Sequence, residues 1–140
     1  MVKVRASQAE IEAAVDALRD GELVAFPTET VYGLGANASN PVAVRKVFEL
    51  KGRPPSHPVI VRIDQQKNLK RWVRELTPAA QKLADAFWPG PLTLVLPRAE
   101  SVHDDVTGGQ DSVAIRIPSH PMAQQLLDRL LRLFGARMQV

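Results

Sequence analysis

Apolar positions along the chain fall by turns into helical and extended spacings. Over residues 7–20, Ile11, Val15 and Leu18 recur every three to four positions, which places them on one face of an amphipathic helix. Ser7 and Glu10 supply a capping box at its start, and Gly21 a stop. Residues 22–26 read as a short buried strand running into Pro27. Asn40 and Pro41 open a second helix with Val44, Val47, Phe48 and Leu50, terminated at Gly52. Residues 58–63 are apolar except for Arg62 and predict a central strand covered on both faces. Thr77 and Pro78 start a third helix bearing Leu83, Ala84, Phe87 and Trp88, which Pro89-Gly90-Pro91 breaks. A strand over 92–96, a polar loop with Gly108-Gly109, an alternating strand over 112–117 and a fourth helix over 121–133 complete the pattern.

Interleaved helices and strands with short connections predict one α/β domain, an open, twisted, mixed β-sheet with flanking helices. After Gly135 such a domain would return to the sheet, yet residues 136–140 carry no recognisable element. The expectation is a single domain over 1–140 that is incomplete at its C-terminus and lacks its last strands.

Composition narrows the chemistry. A chain of 140 residues, 45% of them hydrophobic, supports one core that buries roughly two thirds of the unfolded surface. The absence of cysteine excludes disulfides, thiolate catalysis and thiolate metal sites. No apolar run approaches the ~20 residues of a membrane span, and the N-terminus has no signal-peptide core, so the expectation is a cytoplasmic protein with no membrane association. The net charge of +3 and a pI of about 9.6 fit anionic ligands such as nucleotides or RNA, and also many ordinary enzymes. Lys67, Lys70, Arg71 and Arg74 surround Trp72. They read as the solvated face of a short helix with Trp72 turned inward, in preference to a nucleic-acid patch.

The densest chemistry lies in Pro27-Thr28-Glu29-Thr30-Val31-Tyr32-Gly33-Leu34-Gly35 and Lys51-Gly52-Arg53-Pro54. Thr28 and Thr30 share one side of an extended segment, and Gly33 and Gly35 allow positive φ and close approach to an anion. The same residues also fit a plain glycine turn beside a strand. Lys51 and Arg53 stand at a helix C-terminus, where the macrodipole alone favours cations. Arg62, nine residues further on, ends a buried strand and requires a partner there; a triphosphate would supply one. Ser112 and Arg116 project to one face of their strand. His57, His103 and His120 lie in separate loops without metal-ligand spacing, which points to surface or local structural roles. Asp104, Asp105 and Asp111 lack calcium-loop spacing and read as a solvated loop. Neither a nucleophile elbow nor a P-loop pattern occurs.

Taken with Trp88-Pro89-Gly90-Pro91-Leu92-Thr93 and Val113-Ala114-Ile115-Arg116-Ile117-Pro118-Ser119-His120-Pro121, these segments resemble the YrdC/Sua5 family, the TsaC-like threonylcarbamoyl-AMP synthases. The resemblance runs from the first helix to the fourth. It implies a nucleotidyltransferase that joins L-threonine, bicarbonate and ATP into L-threonylcarbamoyladenylate with release of pyrophosphate, for the t6A37 modification of tRNA. Mg2+ would accompany ATP, with no metal site in the protein. Transfer enzymes acting on tRNA would be downstream partners, and tRNA or double-stranded RNA a direct one. An alternative reading is an impaired homologue that binds ATP or double-stranded RNA without chemistry.

Carried onto this chain, the resemblance gives Lys51 and Arg53 catalytic and phosphate-binding roles. Thr30, Arg62 and Arg116 would bind L-threonine, and His57 and Ser112 the nucleotide, while Tyr32 would wall the pocket. His57 stands where the family often has asparagine, and Arg62 where some members have histidine. Family members continue past the fourth helix into a strand and a Ser-Ala-Asn segment, so the resemblance implies a shortened or altered member.

Overall fold

The computed structural model describes residues 2–3, 7–27, 32–54, 56, 58–134 and 138–139. Each predicted helix forms, and local capping explains where it starts. Ser7 Oγ accepts the Glu10 amide at 3.2 Å at the head of α1 (Gln8–Arg19). Asn40 Oδ1 accepts the amides of Val42 and Ala43 at 3.1 and 3.3 Å ahead of α2 (Pro41–Lys51). Thr77 Oγ1 accepts the Ala80 amide at 3.2 Å ahead of α3 (Pro78–Phe87). Pro41 and Pro78 occupy first-turn positions, where an amide would have no intrahelical acceptor. A 3₁₀ helix (Gln66–Arg71) precedes α3, and α4 (Asp104–Thr107) and α5 (Pro121–Phe134) follow it.

Among the described residues, seven strands form one mixed sheet: β1 (Val2–Lys3), β2 (Val24–Pro27), β3 (Tyr32–Asn37), β4 (Ile60–Arg62), β5 (Leu94–Pro97), β6 (Ser112–Arg116) and β7 (Met138–Gln139). Their order is β1-β2-β3-β7-β4-β6-β5. The pairs β1·β2 and β4·β6 are parallel and the others antiparallel. On one face, Val24 and Phe26 pack under α1 and α5 with Ile11, Val15, Leu18, Leu126 and Leu130. On the other, Val61, Ile63, Leu94, Leu96, Val113 and Ile115 join a larger core with Val44, Phe48, Trp72, Ala84 and Trp88.

Four features depart from the sequence pattern. Gly33 and Gly35 lie inside β3, paired with Phe26 and Val24, and not in a turn. The left-handed glycines among the described residues are Gly21, Gly52, Gly108 and Gly109. Residues 138–139, for which no element was predicted, form β7 between β3 and β4, pairing with Ala36 and Asn37 on one side and Val61 and Arg62 on the other. The polar loop contains α4, whose first turn is capped by His103 Nδ1 accepting the Asp105 amide at 3.3 Å. Finally, β4 is central, yet only Val61 and Arg62 are buried and Ile60 is half-exposed, so one of its faces is partly open.

Among the described residues, no helix is long and apolar enough to cross a membrane. Leu126 is fully buried between α5 and α1, whereas Val42 is 59% exposed. Leu126→Ala is expected to cost about 2–5 kcal/mol in a urea melt, and Val42→Ala less than about 0.5 kcal/mol; equal losses would refute the packing assigned to α5.

Candidate active site

The site grows from the parallel pairing of β4 with β6, in register as Ile60↔Ala114, Val61↔Ile115 and Arg62↔Arg116. Side chains alternate across a strand. Val61 and Ile115 are therefore sealed in the larger core, and Arg62 and Arg116 stand side by side on the opposite face. That face is open toward β5: Ser112, Ala114 and Arg116 are half-exposed, and Val95, opposite Ala114, is 65% exposed.

Each arginine is held differently. The Arg62 guanidinium carbon lies 5.7 Å from the centroid of the Phe26 ring, so the buried β2 side chain supports it through a cation–π contact. Arg116 Nε donates to Thr93 Oγ1 at 2.9 Å, which fixes the plane of the fork and leaves its terminal nitrogens as donors. Thr93 was not singled out from sequence as a site residue, although it lies in the segment Trp88 to Thr93 that carries part of the resemblance.

Lys51 and Arg53 arrive from α2. Gly52 takes φ +64°, and the Gly52 and Arg53 amides return to the carbonyls of Glu49 and Phe48 at 3.2 and 3.0 Å, a glycine C-cap that reverses the chain. Burial lowers the Lys51 pKa, and the positive charges of Arg53 and Arg62 lower it further. Three of the predicted cations thus share one electrostatic neighbourhood. Among the described residues, Lys51, Arg53 and Arg116 form no ion pair with a carboxylate.

The loop that carries Arg53 toward β4 is seated on α4. Val59 N donates to Val106 O at 3.1 Å, and Arg45 on α2 pairs with Asp105 at 3.3 Å. Gly108 takes φ +65°, and a Cβ there would fall 2.2 Å from the Ser56 carbonyl oxygen. The segment read from sequence as a solvated loop is therefore a support for the site, and its one sequence signal was the glycine pair.

The remaining candidates are placed as follows. Ser112 opens β6 opposite Pro97 and shares the face of Arg116, but the two stand four positions apart along the strand, about 13 Å. The Tyr32 backbone opens β3 opposite Pro27. Thr30 and His57 lie outside the described residues. His103 and His120 play local structural parts: His120 Nδ1 accepts the Met122 amide at 3.1 Å at the start of α5, as His103 does for α4. The geometry as a whole offers forked and point-charge donors beside a half-open strand face, suited to an anion with a polar body attached.

The Sua5_yciO_yrdC family model, described as telomere recombination, matches residues 16–135. The chain belongs to the Sua5/YciO/YrdC family. It is 49% identical over 127 residues to a threonylcarbamoyl-AMP synthase of Pyrococcus abyssi, covering 91% of this chain and 37% of that protein. A Bacillus subtilis threonylcarbamoyl-AMP synthase is 48% identical over 119 residues, 84% of this chain and 34% of the other. The crystal structure of P. abyssi Sua5 complexed with L-threonine superposes with a TM-score of 0.88 at 46% identity, covering 99% of this chain and 39% of that one. The chain thus spans between a third and two fifths of the length of these Sua5 relatives.

A pairing anion restores the lowered Lys51 pKa toward the ordinary 10.5, so binding takes up a proton at pH values between the free-site and the bound-site pKa. Pyrophosphate affinity is therefore expected to be greatest below the lowered pKa and to fall as pH rises through it toward 10.5. Lys51→Arg, charged throughout, should flatten that fall in calorimetric titrations at several pH values; parallel curves for the two proteins would refute the pairing.

Proposed function

We propose that this chain is the catalytic domain of an L-threonylcarbamoyladenylate synthase, a nucleotidyltransferase acting on L-threonine, bicarbonate and ATP. One observation carries the reading: Lys51 lies in the field of Arg53 and Arg62, and the β4·β6 register sets Arg116 on the strand beside Arg62, in a chain whose relatives are named for this reaction.

The chemistry suits fixed cations. The amine of L-threonine and bicarbonate condense to a carbamate with loss of water. A carbamate oxygen then attacks the α-phosphorus of ATP, the bond to the β-phosphate oxygen breaks, and pyrophosphate leaves with the electron pair. Two anions must be held together and the charge that builds on phosphate stabilised, without a side-chain nucleophile. In this reading Lys51 and Arg53 hold the phosphates, with His57 and Ser112 on the nucleotide. Thr30, Arg62 and Arg116 hold L-threonine, with Arg116 on its carboxylate, and Tyr32 walls the pocket. The cationic side chains around Lys51 offer a metal no ligand, so Mg2+ would be held by the nucleotide phosphates, where it neutralises charge on the leaving pyrophosphate.

The adenylate is a mixed anhydride and reacts with water, so a second enzyme must take it over and carry the threonylcarbamoyl group to adenosine in tRNA. We place the protein in the cytoplasm with those transfer enzymes, and tRNA or double-stranded RNA among its contacts.

Pyrophosphate release from ATP should require both L-threonine and bicarbonate. Lys51→Ala and Arg53→Ala should each lower turnover about 10²–10³-fold, the effect of deleting a donor to transition-state charge. Turnover independent of threonine would reject the reaction, and full activity in both variants would reject the phosphate roles.

A further inference from the structure

Away from the arginine face, the 3₁₀ helix and the start of α3 enclose a cleft of about 450 Å³ that the site above does not use. Its floor is apolar. Leu69 and Val73 are buried members of the larger core and Leu76 is half-buried against it. Lys67, Lys70 and Arg74 line the same cleft and are exposed, with Glu75 the one acidic lining residue among those described. Arg74 reaches the exposed Asp111 at 3.7 Å, while Lys67 and Lys70 pair with no carboxylate among the described residues.

Two amides complete the lining. Gln81 Nε2 donates to Gln66 Oε1 at 2.9 Å and to Asp85 Oδ1 at 2.7 Å. These bonds use one edge of each amide and leave Gln66 Nε2 as a donor and Gln81 Oε1 as an acceptor. An apolar floor, a donor–acceptor pair and a cationic rim together match a flat heterocycle with hydrogen-bonding edges joined to a phosphate. An inorganic anion would leave the floor and the amides unused, and a purely apolar ligand would leave the cations unused. The volume falls within the usual range of small-ligand pockets, about 300–1,000 Å³.

We propose that this cleft binds a nucleoside phosphate, with the base over Leu69, Val73 and Leu76, its polar edge on Gln66 and Gln81, and the phosphate on Lys67, Lys70 and Arg74. It is separate from the site that would bind ATP, because its floor belongs to the core on the sheet face opposite Arg62 and Arg116.

The test uses the whole chain carrying Lys51→Ala and Arg53→Ala, so that the arginine face does not report. AMP is titrated while the side-chain amide resonances of Gln66 and Gln81 are followed by NMR, with ribose 5-phosphate and a short oligoadenylate as parallel probes. AMP should shift both glutamine resonances, and ribose 5-phosphate should bind at least about tenfold more weakly. Lys70→Glu and Arg74→Glu should each weaken AMP about tenfold while the rest of the spectrum stays folded. Tighter binding of the oligoadenylate with the same dependence on Lys70 and Arg74 would identify a strand residue as the source of the nucleotide. Unmoved glutamine resonances, equal binding of ribose 5-phosphate, or AMP affinity indifferent to both reversals would overturn the site.

Discussion

The pairing of Arg62 with Arg116 across two parallel strands is the constraint to which the rest of the domain answers. Neighbouring strands lie about 4.8 Å apart, so the register sets the backbones of two arginines side by side on one sheet face, from which Arg62 reaches toward Phe26 on β2 and Arg116 toward Thr93 beside β5. The apolar residues that precede them on each strand fix that register. Val61 and Ile115 are fully buried on the far side, and a slip of one residue would turn them outward and drive the arginines into the core. Hydrophobic burial on one face therefore specifies charge placement on the other. Short strands suffice because the specification comes from alternation and burial, with β7 completing the ladder beside β4.

A second route delivers the lysine. Helix α2 packs Val44 and Phe48 into the core of the opposite face, and its C-terminus then reverses at Gly52 to bring Lys51 and Arg53 into the field of Arg62. The Lys51 pKa is lowered in consequence: burial and then two like charges disfavour its proton before any ligand arrives. Such a cluster is costly empty and relieved by an anion, which is what electrostatic preorganisation means in structural terms. The reversal also depends on α4, since Gly108 lets the loop after Arg53 lie against it where any side chain would displace Ser56.

The sequence made the helices and the cations legible, for identifiable reasons. Capping pairs such as Ser7 with Glu10, and Asn40 with Pro41, are local signals, and local structure obeys them. Arg62 stood out because a charge in an apolar run is improbable without a task. What escaped depends on distant partners. Gly33 and Gly35 look like turn residues until Val24 and Phe26 are set across from them. β7 is two residues long, too short for periodicity, and exists through ladders on both sides. Thr93 becomes a site residue only when β5 and β6 pair and bring it to Arg116.

The open strand face is polarised along its length. At one end Arg116 supplies charge, with the buried Arg62 in register beside it; at the other, about 13 Å away, Ser112 offers a neutral hydroxyl, and Ala114 and the exposed Val95 between them offer none. Under the proposed reading this asymmetry sorts the substrates. Carboxylate and phosphate oxygens compete for the cationic end, and the sugar and base fall along the neutral stretch, where a small side chain leaves room and an apolar surface gains from being covered. Specificity of orientation then needs few dedicated contacts, because reversing the ligand would place anions beside Val95 and leave the Arg116 guanidinium facing a neutral ring.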